Sequence, residues 1–202
     1  MKQRLPAFIL FLFIASSLFA GDRYWVGGSG NWNDASHWSA TFDGKAGASI
    51  PGVNDNVFIG SFATGHDTIL ISTNVSCNNL SINQEEVRGK GNATVLKGAG
   101  EINIGGSLYI GKNVTDLFTG TWKFNDLISC YRDNSIAEIS TDGHVFSGKL
   151  IFLSPQTAGC TNSYSISDKL YVNNSIEVQK RAQLILPETS KLVALSFITD
   201  NE

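Results

Sequence analysis

The sequence predicts an all-β chain, a β-solenoid closed at its N-terminal end by an aromatic cap, and three observations carry that expectation. Gly, Ser, Asn and Thr make up about 36% of the 202 residues, a mixture that suits turns and polar strand faces rather than helices. Three of the four tryptophans crowd into one glycine-rich stretch before residue 51. Beyond it, short alternating apolar runs are punctuated by Gly, Asn, Asp and Ser, and no apolar stripe holds a 3.6-residue period over three turns.

Residues 1–20, MKQRLPAFILFLFIASSLFA, have the layout of a secretory signal peptide. Lys2 and Arg4 precede an unbroken apolar run from Ala7 to Phe13, and small residues lead to Ala20, after which cleavage is expected. The apolar run is short for a bilayer-spanning helix of about 20 residues. No later segment reads as a membrane-spanning helix, so the mature chain is expected to be secreted, extracellular or on the outer cell surface.

Residues 21–50 read as the cap. Tyr24, Trp25, Trp32 and Trp38 lie in YWVGGSGNWNDASHWS, and an indole buries on the order of 200 Å² when packed. Asn33 or Asp34 is placed to cap a single helical turn that would bring Trp32 and Trp38 to one side. Asp55, in Asn54-Asp55-Asn56, is expected to cap the turn into the first strand and belongs with this structural group.

Residues 51–202 read as the rungs. Strands are expected at Val57–Ile59, Ile69–Ile71, Leu80–Ile82, Ile102–Ile104, Leu108–Ile110, Leu150–Phe152, Leu170–Val172, Ile176–Val178 and Leu184–Leu186. A leucine before an apolar pair recurs at Leu80, Leu108, Leu127, Leu150, Leu170 and Leu192, a period near 20 to 25 residues that matches one rung of a solenoid. An antiparallel β-sandwich also spaces strands every 8 to 12 residues and stands as the alternative. Lys191 to Phe197 looks like one more rung, with no second cap after it.

Cys77, Cys130 and Cys160 are too dispersed for a CxxC redox or zinc unit, and an odd number leaves at least one thiol outside any internal pair. A net charge of -3 without a basic block argues against nucleic-acid binding.

The run YWVGGSGNWNDASHWS, followed by Ile50-Pro51-Gly52-Val53-Asn54-Asp55-Asn56-Val57-Phe58-Ile59, resembles the opening of large repetitive cell-surface proteins of Bacteroidota. The resemblance continues more loosely through Thr121–Phe124, Asp142–Phe152 and Lys191–Phe197. It implies a right-handed parallel β-helix on an exported, adhesive or structural protein. Its motif is architectural, so it implies no functional residue. Members of that group run on for many hundreds of residues into a sorting domain for type IX secretion, and a chain without either is expected to be a truncated product or a small stand-alone relative.

No catalytic residue, cofactor site or metal site is assigned from the residues. His37, His66 and His144 lack metal-ligand spacing and read as turn or surface residues. Gly27-Gly28-Ser29-Gly30-Asn31 lacks the last glycine of a nucleophile elbow. Ca²⁺ at Asn54-Asp55-Asn56 or Asp133-Asn134 is conceivable, but no repeated calcium motif supports it. Lyases and hydrolases built on β-helices would need acids on one outer face, for which the candidates are Asp116, Asp126, Asp133, Glu138 and Asp142 with Arg132 nearby. Tyr109, Tyr131, Tyr164 and Tyr171 are candidates for stacking on the sugar rings of an extracellular polysaccharide. The function expected is therefore that of a secreted or cell-surface structural or adhesive module without catalytic activity, with polysaccharide binding or degradation as the alternative.

Overall fold

The computed structural model describes residues 20–60, 66–83, 93–125, 136–153, 155, 161–188 and 190–199. The signal peptide apart from Ala20, and the assignments made at Asp126, Leu127, Cys130, Tyr131, Arg132, Asp133, Asn134 and Cys160, lie outside them.

Nineteen strands, numbered along the chain, fall into three sheets among the described residues. The first holds β1 (Asp22–Trp25), β3 (Trp38–Ser39), β4 (Asn56–Ile59), β7 (Leu80–Ile82), β10 (Leu108–Ile110), β13 (Ala137–Ser140), β16 (Asn162–Ile166) and β18 (Ala182–Ile185). The second holds β2 (Gly30–Asn31), β5 (His66–Ile71), β8 (Ala93–Gly98) and β11 (Val114–Phe118). The third holds β6 (Val75–Cys77), β9 (Glu101–Ile104), β12 (Thr121–Phe124), β14 (Val145–Phe146), β15 (Lys149–Phe152) and β17 (Lys169–Val178), with β19 (Lys191–Thr199) paired to β17. From β4 to β12 the chain visits the sheets in strict rotation, so each strand from β4 to β9 pairs with the strand three further along. Every ladder described is parallel except β1 with β3. The chain is thus all-β with parallel sheets, and an antiparallel sandwich does not describe it.

Alternation within each strand explains why the sheets enclose a core. Side chains at every second position point to the same face. In the first sheet Val57, Leu80, Leu108, Ile139 and Ile166 lie in register, all buried, at successive steps of 23, 28, 31 and 27 residues. In the third, Val75, Ile102, Trp122, Leu150 and Ile176 form a second buried column, with Phe124 stacked on Phe152 beside it at 4.8 Å. These columns revise the sequence reading of one leucine per rung. Leu80 and Leu108 do pair, and so do Leu170 and Leu192, but Leu150 belongs to the third sheet and pairs with Ile176. A further revision concerns Leu170–Val172 and Ile176–Val178, which form the single ten-residue strand β17 with a register shift between Val172 and Ser175.

Polar ladders hold the turns. Asn56 Oδ1 accepts from Asn78 Nδ2 at 3.1 Å and Asn79 Nδ2 at 2.8 Å, while Asn79 Oδ1 accepts from the Ser107 amide at 2.7 Å. These side chains satisfy one another and the backbone where a turn would otherwise leave polar groups unpaired.

At the corner leading into the third sheet, successive passes approach too closely for a side chain. The Gly120 carbonyl accepts from Lys149 N and the Gly100 carbonyl from Thr121 N, both at 3.1 Å. A Cβ on Gly120 would sit 2.1 Å from the Gly100 oxygen, and one on Gly148 2.2 Å from the Gly120 oxygen. Gly120→Ala is therefore expected to lower stability by about 1–3 kcal/mol, as overpacking does. Urea denaturation measures it, and an unchanged midpoint would contradict this tight stacking.

Candidate functional site

The residues assigned to the cap separate into two groups. Asp34 accepts from Ser36 N at 2.9 Å and so caps the short 3-10 turn Ala35–His37, which turns Trp38 back toward Trp32. Trp25, Trp32 and Trp38 are buried together, with Trp38 edge-on to each of the other two at 5.1 Å and its Nε1 donating to the Trp32 carbonyl at 2.6 Å. Their Cα atoms belong to the first passes of the first and second sheets, so the indoles lie over the end of the core. Tyr24 stands on the opposite face of β1, because neighbours along a strand alternate. Its ring stacks on Phe58 at 4.9 Å and its hydroxyl donates to Asp22, outside the indole cluster. Asp55 is buried at the join, where its carboxylate accepts from Gly21 N at 2.9 Å and Gly52 N at 2.8 Å. Both oxygens are thereby occupied, and Asn56 is likewise committed to its ladder, which leaves Asn54-Asp55-Asn56 poorly suited to Ca²⁺. Among the described residues no three His, Cys, Asp or Glu side chains converge as a metal site.

Two titratable side chains are buried near this end without serving it. Cys77 is a free thiol 1% exposed, and burial, aided by the charge of Asp55, pushes its pKa far up, so it is an inert apolar filler. Asp67 faces inward on β5, in register with buried Thr94, and loss of water pushes its carboxyl up, against a smaller downward pull from His37. The folded chain therefore holds this proton more tightly than the unfolded chain, and stability is lost as pH rises through the raised pKa. Asp67→Asn is expected to raise the melting temperature at about pH 7 and to leave it unchanged at about pH 3, where both states carry the proton. A variant less stable than the parent at neutral pH would show that the carboxylate is needed.

The four stacking candidates do not form one row. Tyr164 is fully buried, its ring between Phe152 and Phe124 and its hydroxyl donating to the Phe124 carbonyl at 2.9 Å, so it offers no face to a ligand. The reason is its parity in β16, where it points inward beside Ala137. Tyr171 is half-buried on β17 between Val145 and Val193. Tyr131 lies outside the described residues. Tyr109 remains: it points outward from β10, and its ladder neighbours on either side are Ser81 and Ser140, which are too small to cover an aromatic ring. Its hydroxyl donates to Glu138 Oε2 at 3.3 Å, and partial burial, followed by the Glu138 charge, raises its pKa.

Tyr109 stands at one wall of a depression of about 290 Å³, with Lys112, Ser140, Asp142 and Asp168 around it. A second depression of about 550 Å³ adjoins it, sharing Gly111, Lys112 and Asp142 and reaching Asp116 and His144. Both lie along the corner where the first sheet ends and three successive turns stack. Asp142 adopts φ 47° and Gly143 φ 75°, and the turn is secured from above by Asp168, whose carboxylate accepts from Thr141 N and Thr141 Oγ1 at 3.2 Å and from Asp142 N. Asp168 thus positions the turn, and Asp142 and Lys112 are exposed residues beside it. The ring of Tyr109, Lys112 and Asp142 thus lie together at one corner.

Of the proposed outer-face acids, Glu138 and Asp142 lie near this corner, but Asp116 does not face outward. It takes an inward position in the second sheet, in register with Leu96 and Ile69, and its side chain is 0% exposed. Its oxygens accept from Phe118 N at 2.8 Å and Ser147 N at 3.2 Å, and His144 Nε2 lies 3.5 Å away. His144 is a turn residue, as expected, since its amide closes the turn on the Thr141 carbonyl, but its side chain is a buried partner of Asp116. Lys112, Asp168 and the Asp116–His144 pair went unrecognised because their partners lie about one pass away in sequence, where no short motif connects them. The one local signal was an aspartate inside the alternating run Val114–Phe118.

Comparison with protein-family models, with curated proteins and with solved structures yields no match.

Proposed function

We propose that the parallel sheets form a right-handed parallel β-helix, exported from the cell and acting at the outer cell surface or in the medium as a structural or adhesive module without catalytic activity. The observation that carries this reading is the rotation of the chain through three parallel sheets with tryptophans over one end. Parallel strands joined by crossovers are right-handed in about 98% of cases, which supports the hand. The basic start and apolar run of residues 1–20 support export. Stacked passes hide apolar residues from one another and leave outer faces free for contact, which suits a scaffold. Immunoblotting of cytoplasm, envelope and medium tests it: the chain is expected outside the cytoplasm and shortened by its leader. Full-length chain confined to the cytoplasm would overturn it.

The depression at Tyr109 favours a second reading, that the module binds an extracellular polysaccharide. A sugar face would stack on the ring while Lys112 and Asp142 engage its hydroxyls. In affinity gels containing a panel of polysaccharides, at least one is expected to retard the protein, and Tyr109→Ala to weaken that binding about 3- to 10-fold. Retardation by none, or retardation equal in the variant, would remove this reading.

A further inference from the structure

We infer that Asp142-Gly143 is a self-modification site, where aspartate isomerises to isoaspartate in the folded chain, and that the tertiary structure protects the chain's other Asp-Gly pair, Asp43-Gly44, from the same change. The two pairs are alike locally. Both aspartates are exposed and both hold a positive φ, 52° at Asp43 and 47° at Asp142, a conformation that strains a residue with a Cβ. They differ at the amide that has to react. Gly44 N donates to the Thr41 carbonyl at 3.0 Å, and a Cβ on Gly44 would lie 2.2 Å from Thr41 Oγ1, so its nitrogen is engaged and its surroundings are crowded. In the turn of residues 141–144 the closing bond is made instead by His144 N, at 2.8 Å to the Thr141 carbonyl. Gly143 N has no acceptor among the described residues, and nothing lies within 4 Å of a Cβ built on Gly143. An amide already bonded must give up that bond before it can attack, whereas the Gly143 amide gives up none.

The Gly143 nitrogen bonds to Cγ of the protonated Asp142 carboxyl, whose hydroxyl leaves as water with the amide proton, and a five-membered succinimide closes. Water then opens the ring at either carbonyl. Opening at Cγ returns aspartate, whereas opening at the main-chain carbonyl leaves isoaspartate, in which the chain runs on through Cγ. The water lost in closing is replaced in opening, so the mass is unchanged and no oxidant or cofactor takes part. The product has a backbone longer by one carbon in the turn that Asp168 holds through Thr141 N and Asp142 N. Because Asp142 lines the depression beside Tyr109, isomerisation remodels that surface as the protein ages.

The test is to hold the purified full chain for weeks at physiological temperature and neutral pH in water enriched in heavy oxygen, and then to digest it with an endoproteinase that cuts before aspartate but not before isoaspartate. The peptide carrying residue 142 is expected to gain heavy oxygen and to lose cleavage at Asp142 progressively. Label at Asp142 should exceed label at Asp43 at least about 5-fold, the factor that one backbone hydrogen bond contributes. In urea, where both turns are lost, the two pairs should label alike. Asp142→Glu keeps the carboxylate but would have to close a less favourable six-membered ring, so most of the label at this position should disappear while circular dichroism stays that of the parent. No label at Asp142 in the folded chain, label as great at Asp43, or a preference for Asp142 that persists in urea would each overturn the inference.

Discussion

Trp38→Ala is expected to cost about 3–5 kcal/mol, the usual penalty for deleting a buried large aromatic. The indole is 0% exposed and sits edge-on to both Trp25 and Trp32. Its backbone carbonyl accepts from both Gly47 N and Ala48 N at 2.9 Å, bonds that the substitution keeps, so the cost comes from the lost packing and the lost Nε1 donor. Conservative variants separate packing from hydrogen bonding. Trp38→Phe removes the donor to the Trp32 carbonyl and should cost about 1–3 kcal/mol. Trp32→Phe removes an Nε1 that has no acceptor among the described residues, so it loses packing but no hydrogen bond and should cost less than Trp38→Phe. Urea denaturation followed by tryptophan fluorescence reads all three, and equal effects for the two Phe variants would contradict the asymmetry of the cluster.

Asp116→Ala is the second large effect, at about 3–5 kcal/mol, as expected when one member of a buried polar pair is removed. It strips the acceptor from Phe118 N and Ser147 N and leaves His144 facing a void. Asp116→Leu restores the volume of a column whose earlier members are Ile69 and Leu96, yet still orphans the two amides. It should therefore fall between the parent and the alanine variant. A loss below about 1 kcal/mol for Asp116→Ala would mean that water replaces the carboxylate easily and that the site is open. The turn that carries His144 also carries Asp142, which lines the depression beside Tyr109.

The sequence by itself determined the all-β class, the place of the aromatic cluster and most strand cores, because alternation, turn chemistry and the clustering of tryptophans act over a few residues. It located the runs at Val57, Leu80, Leu108 and Leu150 within strands the structure also has. It passed over β8, β11, β13 and β16, where Thr, Asp, Glu and Ser break the apolar pattern. Only the tertiary structure decided which residues meet. Steps between stacked positions vary from 20 to 39 residues, so no fixed period assigns a partner, and a shift of one residue moves a side chain to the other face. That parity sent Tyr164 and Asp116 inward and left Tyr109 outside between two serines. The physical reason is that a strand's local sequence sets how its side chains alternate, whereas the face that is hidden depends on neighbours contributed by other passes of the chain.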